Sequence, residues 1–298
     1  MLKARAVRFD WAKIGIHTFF ILLSLVFIVP LWAIAAISLS SETKLVKAGY
    51  SLIPRPLDFT AYQYILKNPL VILDSYRVTA VMSFAGALLS LLLIATCAYA
   101  LARKDFAYRK AITYFLFFTM LFNGGLVPYY ILMTKYFHVQ NTYAGLILPV
   151  LGGVFYVFLM RTFFSQLPES IVESAIIDGA GEARIFFSII IPLSKPVLAT
   201  VGLIKLLTYW NSWFQALLFI SDKEKYPLQY LLQVMLQNIE EITKQMNYMP
   251  TDYEALSAMP TESVRMAMAV LAVGPMLFVF PFFQSYFAKG LTVGAVKE

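Results

Sequence analysis

The chain has 298 residues, of which 60% are hydrophobic, 16% aromatic and only 14% charged, with a net charge of +7. That balance is richer in apolar and poorer in charged residues than an ordinary globular domain, so it excludes a soluble protein and puts the chain in lipid. The excess of cations fits anchoring at the anionic headgroups of membrane lipid, and no nucleic-acid partner is expected. A helix needs about 20 mostly apolar residues to cross a hydrocarbon core. Six stretches reach that length: 14–41, 78–102, 111–134, 139–160, 196–221 and 266–288. The first is too long for a cleaved leader and lacks a small-residue cleavage site, so it is expected as a span. A hydrophilic excursion over 42–77 separates it from the second. The short loop "RKDFAYRK", 103–110, then carries Arg103, Lys104, Arg109 and Lys110, whereas the short loop before 139 carries only Lys135. With Lys3, Arg5, Arg8 and Lys13 in the amino-terminal tail, the bias of the short loops predicts both termini in the cytoplasm. The longer loops 161–195 and 222–265 then fall inside and outside respectively. Of the six spans only the fifth carries a charge, Lys205. The single cysteine, Cys97, rules out a disulfide framework. The expected fold is all-α: one polytopic membrane domain over 1–298 with six transmembrane helices.

The loop 161–195 does not read like a plain connector. "LPESIVESAIIDGAG" opens with Pro168, suited to a helix start because its missing N–H is not needed there. Glu169 and Glu173 follow early, where acids complement the positive end of the helix dipole. Ile171, Val172, Ala175 and Ile176 recur at helical spacing, and Gly179 allows the left-handed turn that ends a helix. A second amphipathic run, 182–191, is expected to stop at Pro192. Two short helices at an angle, with a small-residue corner at Gly179, Ala180 and Gly181, suit either a connector resting on the lipid surface or a knob that fits a cleft in another protein.

These residues resemble the EAA motif of the permeases of binding-protein-dependent ABC importers. The pattern runs through Glu173-Ser174-Ala175, Asp178-Gly179-Ala180 and Ile191-Pro192, with Ser174 in place of alanine as its one departure. "PTESVRMAMAVLAVGP", the tail "FFQSYFAKGLTVGAVKE" and "WNSWFQALLFI" are similar to the carbohydrate-importer branch that contains the smaller membrane subunit of the maltose permease. "FNGGLVPYYILM" is similar to a subgroup for complex oligosaccharides, uronate-containing ones included. The resemblance implies a bacterial inner-membrane subunit that works with a second permease, two cytoplasmic ATPase subunits and an extracytoplasmic solute-binding protein. It implies that the loop is a cytoplasmic coupling helix, with Glu173, Ser174, Ala175, Asp178, Gly179, Ala180 and Pro192 at the ATPase contact, and that residues 290–298 touch the ATPases as well. ATP and Mg are then expected in the partner ATPases, with no cofactor in this chain.

Nothing in the sequence suggests that the chain is itself an enzyme. No Gly-x4-Gly-Lys-Ser/Thr cradle for phosphate is present, and "GAGEAR" lacks the lysine and the preceding strand. His17, His138 and Cys97 lie too far apart in sequence to read as a metal or nucleophile set. The competing class is an ATP-independent secondary transporter or channel. Ion-coupled carriers place acids within the membrane, whereas all 17 Asp and Glu residues here fall in loops or tails, which favours the importer.

For a sugar pathway, rings that stack on sugar faces and amides that bond hydroxyls are the candidates: Asn123, Tyr129, Tyr130, Tyr209, Trp210, Asn211, Trp213 and Gln215. Interfacial anchoring and span packing explain such residues equally well. Lys205 joins them, about 13 Å deep at 1.5 Å per residue, too costly to face lipid. It is expected to face water or the partner subunit as a structural cation, to attract an acidic sugar, or to snorkel. In the outer loop "YLLQVMLQNIEEITKQM" has helical periodicity, for a helix on the membrane face or a docking site for the binding protein.

Overall fold

A computed structural model describes residues 11–54, 56–248 and 261–293; among them the chain is helical, with no β-strand beyond an isolated bridge between Ser40 and Leu57. It divides into two compact units, Met1–Lys67 with Asn238–Val273 and Asn68–Gln237 with Gly274–Glu298. Residues 249–260 of the outer loop and 294–298 of the tail lie outside the described residues.

In the first unit, α1 (Trp11–Ser38) is an apolar helix of 28 residues, followed by α2 (Glu42–Ala48) and α3 (Thr60–Ile65). Glu42 is only 6% exposed. Its carboxylate accepts from the backbone N–H groups of Glu262 and Ser263, both at 2.9 Å, and from the hydroxyls of Thr261 (2.9 Å) and Ser263 (2.7 Å). Those N–H groups open the last helix, α15 (Glu262–Val293), where no intrahelical acceptor exists. Glu42 therefore caps that helix from across the sequence, and the negative charge meets the positive end of its dipole.

The second unit is organised around α4 (Pro69–Ala102), which packs against α8 (Val154–Phe164) and α12 (Lys195–Trp210). Its core joins Ile94, Ala98, Met160 and Val201 near one end and Met82, Leu206 and Tyr209 toward the other. The second helix begins nine residues before the predicted span, because Pro69 starts a helix well and nothing obliges a helix to end where the hydrocarbon does. Close approach of α4 and α12 depends on Gly86: a Cβ there would sit 2.6 Å from the Tyr209 ring.

Among the described residues, three helical stretches are long and apolar enough to span on their own, Lys13–Ser38, Pro69–Ala102 and Glu262–Val279. Three bent pairs bring the number to six if each is one span: Arg109–Leu121 with Leu126–Tyr136 (115°), Tyr143–Val150 with Val154–Phe164 (56°), and Glu182–Leu193 with Lys195–Trp210 (84°). The chain is thus an all-α polytopic membrane protein, but spans three to five are interrupted rather than continuous. In the third, Gly125 has φ of +88° and its N–H turns back onto the Asn123 side chain at 2.8 Å. In the fourth, Gly152 and Gly153 follow the 3-10 turn Leu148–Val150 that ends α7 (Tyr143–Ile147). The predicted fifth span, 196–221, breaks at 211–213 into α12 and α13 (Phe214–Phe219). Beyond it the periodic outer segment forms α14 (Leu228–Tyr248).

Candidate functional site

The EAA-like loop forms α9 (Glu169–Ile177), entered through Pro168 and left through a Gly179 turn. Gly179 has φ of +77°; its N–H bonds the Ile176 carbonyl and that of Ala180 bonds the Ala175 carbonyl, both at 2.9 Å. This paired closure is the Schellman arrangement, which needs a residue tolerant of left-handed backbone. Val172 and Ala175 are buried, and Ala180 packs on the same core. The other face presents Glu173, Ser174, Asp178 and Gly179 to solvent, with Ile177 85% exposed beside them. The seven motif residues therefore divide into an inner pair, Ala175 and Ala180, that fixes the helix to its own chain, and an outer set free to meet something else.

Pro192 does not stop the second helix as its sequence suggests. α10 (Glu182–Ile185) runs through a π turn, Phe186–Ile190, into α11 (Ile191–Leu193), and Pro192 lies exposed within that stretch. The widened turn, in which the Ile191 N–H reaches Phe186, relieves the clash and missing donor that proline brings to a regular helix.

Polar contacts tie this loop to the end of α4. Lys104 pairs with Glu169 at 2.7 Å, Arg103 with Glu182 at 3.2 Å and with Asp105 at 2.9 Å, and the Tyr99 hydroxyl donates to Glu182 at 2.5 Å. A cleft of about 370 Å³, lined in part by Arg103, Arg109, Glu169 and Glu173, opens between them. Such exposed pairs contribute little individually, so packing of Val172 and Ala175 holds the loop and the charges set its register. Sequence reasoning used the cations of 103–110 only for orientation and missed these partners; the complementary acids Glu169 and Glu182 in the next loop on that side were the available signal.

Lys205 is 2% exposed, and no acid among the described residues pairs with it. Its ammonium donates to the Val150 carbonyl at 2.7 Å and the Gly152 carbonyl at 2.5 Å, and stands 5.5 Å from the centre of the Tyr156 ring. It caps the carbonyls left open where the fourth span breaks, and the ring face adds cation–π attraction. Tyr209 is wholly buried, its hydroxyl 2.9 Å from the Ile147 carbonyl and 3.1 Å from the Ser90 hydroxyl. Trp210 is 4% exposed against Tyr76. The polar atoms of Lys205 and Tyr209 are thus committed within the chain, and all three side chains are withdrawn from solvent.

The chain turns outward immediately afterwards. Asn211 and Trp213 are exposed in the break after α12, and Asn211 accepts from Gln229 at 3.4 Å. Gln215, half-buried, accepts from the Ser212 hydroxyl. Asn123 is exposed in the third-span break, and the half-buried Tyr129 and Tyr130 face Phe219, Tyr130 stacking on it at 5.9 Å. The pathway candidates fall into four places: a buried set on α12, the exposed amide–aromatic break after it, the exposed Asn123 in the third-span break, and the aromatic cluster of Tyr129 and Tyr130 on Phe219.

A broken-helix membrane core with an EAA-bearing loop defines a transporter permease. Residues 6–293 match the family described as the binding-protein-dependent transport system inner membrane component, and the chain belongs to it. It is 34% identical to the polygalacturonan/rhamnogalacturonan transport system permease protein YtcP of Bacillus subtilis (strain 168), over 95% of this chain and 96% of that relative. It is 28% identical to the arabinooligosaccharides transport system permease protein AraQ of the same organism, over 97% and 98%. Among solved structures it resembles a bacterial ABC transporter involved in the import of the acidic polysaccharide alginate, with a TM-score of 0.77, 28% identity and coverage of 96% and 99%. The chain is therefore an ABC importer permease, a transport component rather than an enzyme, which sets aside the ATP-independent carrier or channel. Membership carries with it a partner permease, ATPase subunits and a solute-binding protein.

Proposed function

We propose that this chain and a partner permease line the path of an acidic, uronate-containing oligosaccharide delivered by a binding protein. The substrate class rests on one observation: two full-length likenesses are named for polygalacturonan/rhamnogalacturonan and for the acidic polysaccharide alginate. Lys205 does not supply the countercharge, because its ammonium already serves two carbonyls. The solute instead meets the exposed Asn211, Trp213 and Asn123, with Gln215 behind them, through ring stacking and hydroxyl hydrogen bonds. Uptake by the reconstituted complex from a panel of galacturonate, alginate and neutral arabinose oligosaccharides tests this. Preference for the acidic members is expected; equal or better uptake of the neutral ones removes the acidic assignment while leaving the permease role intact.

The outer face of α9 is the ATPase contact. Glu173, Ser174, Asp178 and Gly179 seat in a cleft of an ATPase subunit, where ATP and Mg2+ act, and the packed inner face passes the motion to α4 and α8 as a rigid body. Glu173→Lys, which reverses the charge, and Gly179→Pro, which forbids the positive φ, should abolish solute-stimulated ATP hydrolysis while the chain still inserts. Normal stimulation in both variants removes the contact. Both termini face the cytoplasm in this reading: in a Cys97→Ala background, cysteines introduced at Ser174 and Ser51 should label from opposite sides, and labelling from one side overturns it.

A further inference from the structure

Among the described residues, two arginines beside the coupling loop have no ion-pair partner. Arg103 and Lys104 pair with Asp105, Glu182 and Glu169, but Arg109, at the first position of α5 (Arg109–Leu121), and Arg161, in the last turn of α8, form no ion pair among the described residues. They are held side by side. A guanidinium nitrogen of Arg161 donates to the Thr113 hydroxyl at 3.3 Å, and that hydroxyl donates to the Arg109 carbonyl at 2.7 Å. Both arginines line an open cavity of about 370 Å³ with Phe158, Thr162, Ser165 and Gln166, and no carboxylate lines it.

Two guanidinium forks with hydroxyl and amide donors, on a cavity whose own lining holds no carboxylate, match the several acceptor oxygens of a phosphate; Arg109 also borders the neighbouring cleft that Glu169 and Glu173 line. The level of the cavity narrows the source. One apolar helix begins at Arg109 and another ends near Arg161, so the cations stand where hydrocarbon gives way to water. Phe158 lines the cavity, and Phe155 and Leu159 on the same helix are 60% and 38% exposed. A cationic mouth beside an exposed apolar helix face suits a phosphate that carries acyl chains; free phosphate uses only the mouth. We propose that Arg109 and Arg161 bind the headgroup phosphate of an anionic phospholipid. The lipid sits at the root of the coupling loop, since Ser165 and Gln166 lead directly into Pro168 and α9.

The test uses the whole importer, this chain with its partner subunits, in nanodiscs of phosphatidylcholine doped with phosphatidylglycerol, and counts the lipid retained after gentle extraction by native mass spectrometry. Wild type should retain phosphatidylglycerol in preference to phosphatidylcholine, and millimolar inorganic phosphate should not displace it. Arg109→Gln with Arg161→Gln should weaken retention about thirtyfold, from roughly 1 kcal/mol per cation near the surface. Arg109→Lys with Arg161→Lys, which keeps both charges, should retain most of it and guards against loss through misfolding. Unchanged retention in the glutamine variant overturns the proposal. So does displacement by inorganic phosphate, which points to a free anion, and so does loss of ATPase subunits with lipid retention unaltered, which points to a protein contact.

Discussion

The fourth and fifth spans both break, and the two breaks are finished differently. In the fourth, the carbonyls of Val150 and Gly152 are met by a buried ammonium from the neighbouring helix, which seals the interruption from inside. In the fifth, residues 211–213 leave an amide and an indole exposed, with Gln229 bonded to Asn211 and Gln215 to Ser212. Irregular backbone at membrane depth survives where protein satisfies it or where it lines a wet cavity. The first break is the former case. The second leaves its amide and indole exposed, as the proposed solute path requires.

The comparison predicts that damage at the sealed break strikes stability and damage at the open one strikes transport. Lys205→Met leaves two carbonyls without donors, at about 1–3 kcal/mol for each buried group left unpaired. The complex should lose thermal stability and take up neutral and acidic solutes equally poorly. Selective loss of acidic uptake at unchanged stability would return Lys205 to the solute path and erase the distinction between the breaks. Next in size is Gly86→Ala, whose Cβ would collide with the Tyr209 ring that packs beside Lys205 on α12. It should cost about 1–3 kcal/mol by overpacking, and much less in a Tyr209→Ala background; equal cost in both backgrounds argues against the contact. The smallest effect on stability belongs to Trp213→Ala, within about 0.5 kcal/mol as for other exposed positions. Its signature is weaker uptake with a raised KM, and a thermal shift as large as that of Lys205→Met would make the two breaks alike.

Composition marked the six apolar stretches, because lipid imposes one requirement on all of them. It was silent on continuity: an apolar window looks the same whether its helix is straight or bent by 115°. The local signs were present in Asn123-Gly124-Gly125 and Gly152-Gly153, yet hydropathy averages over them. Gly179 was readable because a helix end needs a particular backbone, whereas Pro192 misled because a π turn, which depends on the surrounding fold, absorbed it. Lys205 announced itself by charge and depth, but its partners are backbone carbonyls, which have no sequence signature. Glu42 escaped notice for the same reason: its acceptor role is read only from N–H groups 220 and 221 residues away.

That separation gives Glu42 a place in biogenesis. The carboxylate leaves the ribosome with the first span, but the groups that neutralise it, from Thr261 to Ser263, are among the last to be made. Throughout synthesis it remains a charge that must stay in water, and only arrival of the final helix lets it withdraw to 6% exposure. Burial of Glu42 thus waits on the last helix: a chain that stops before Thr261 keeps an unmet acid beside its first span.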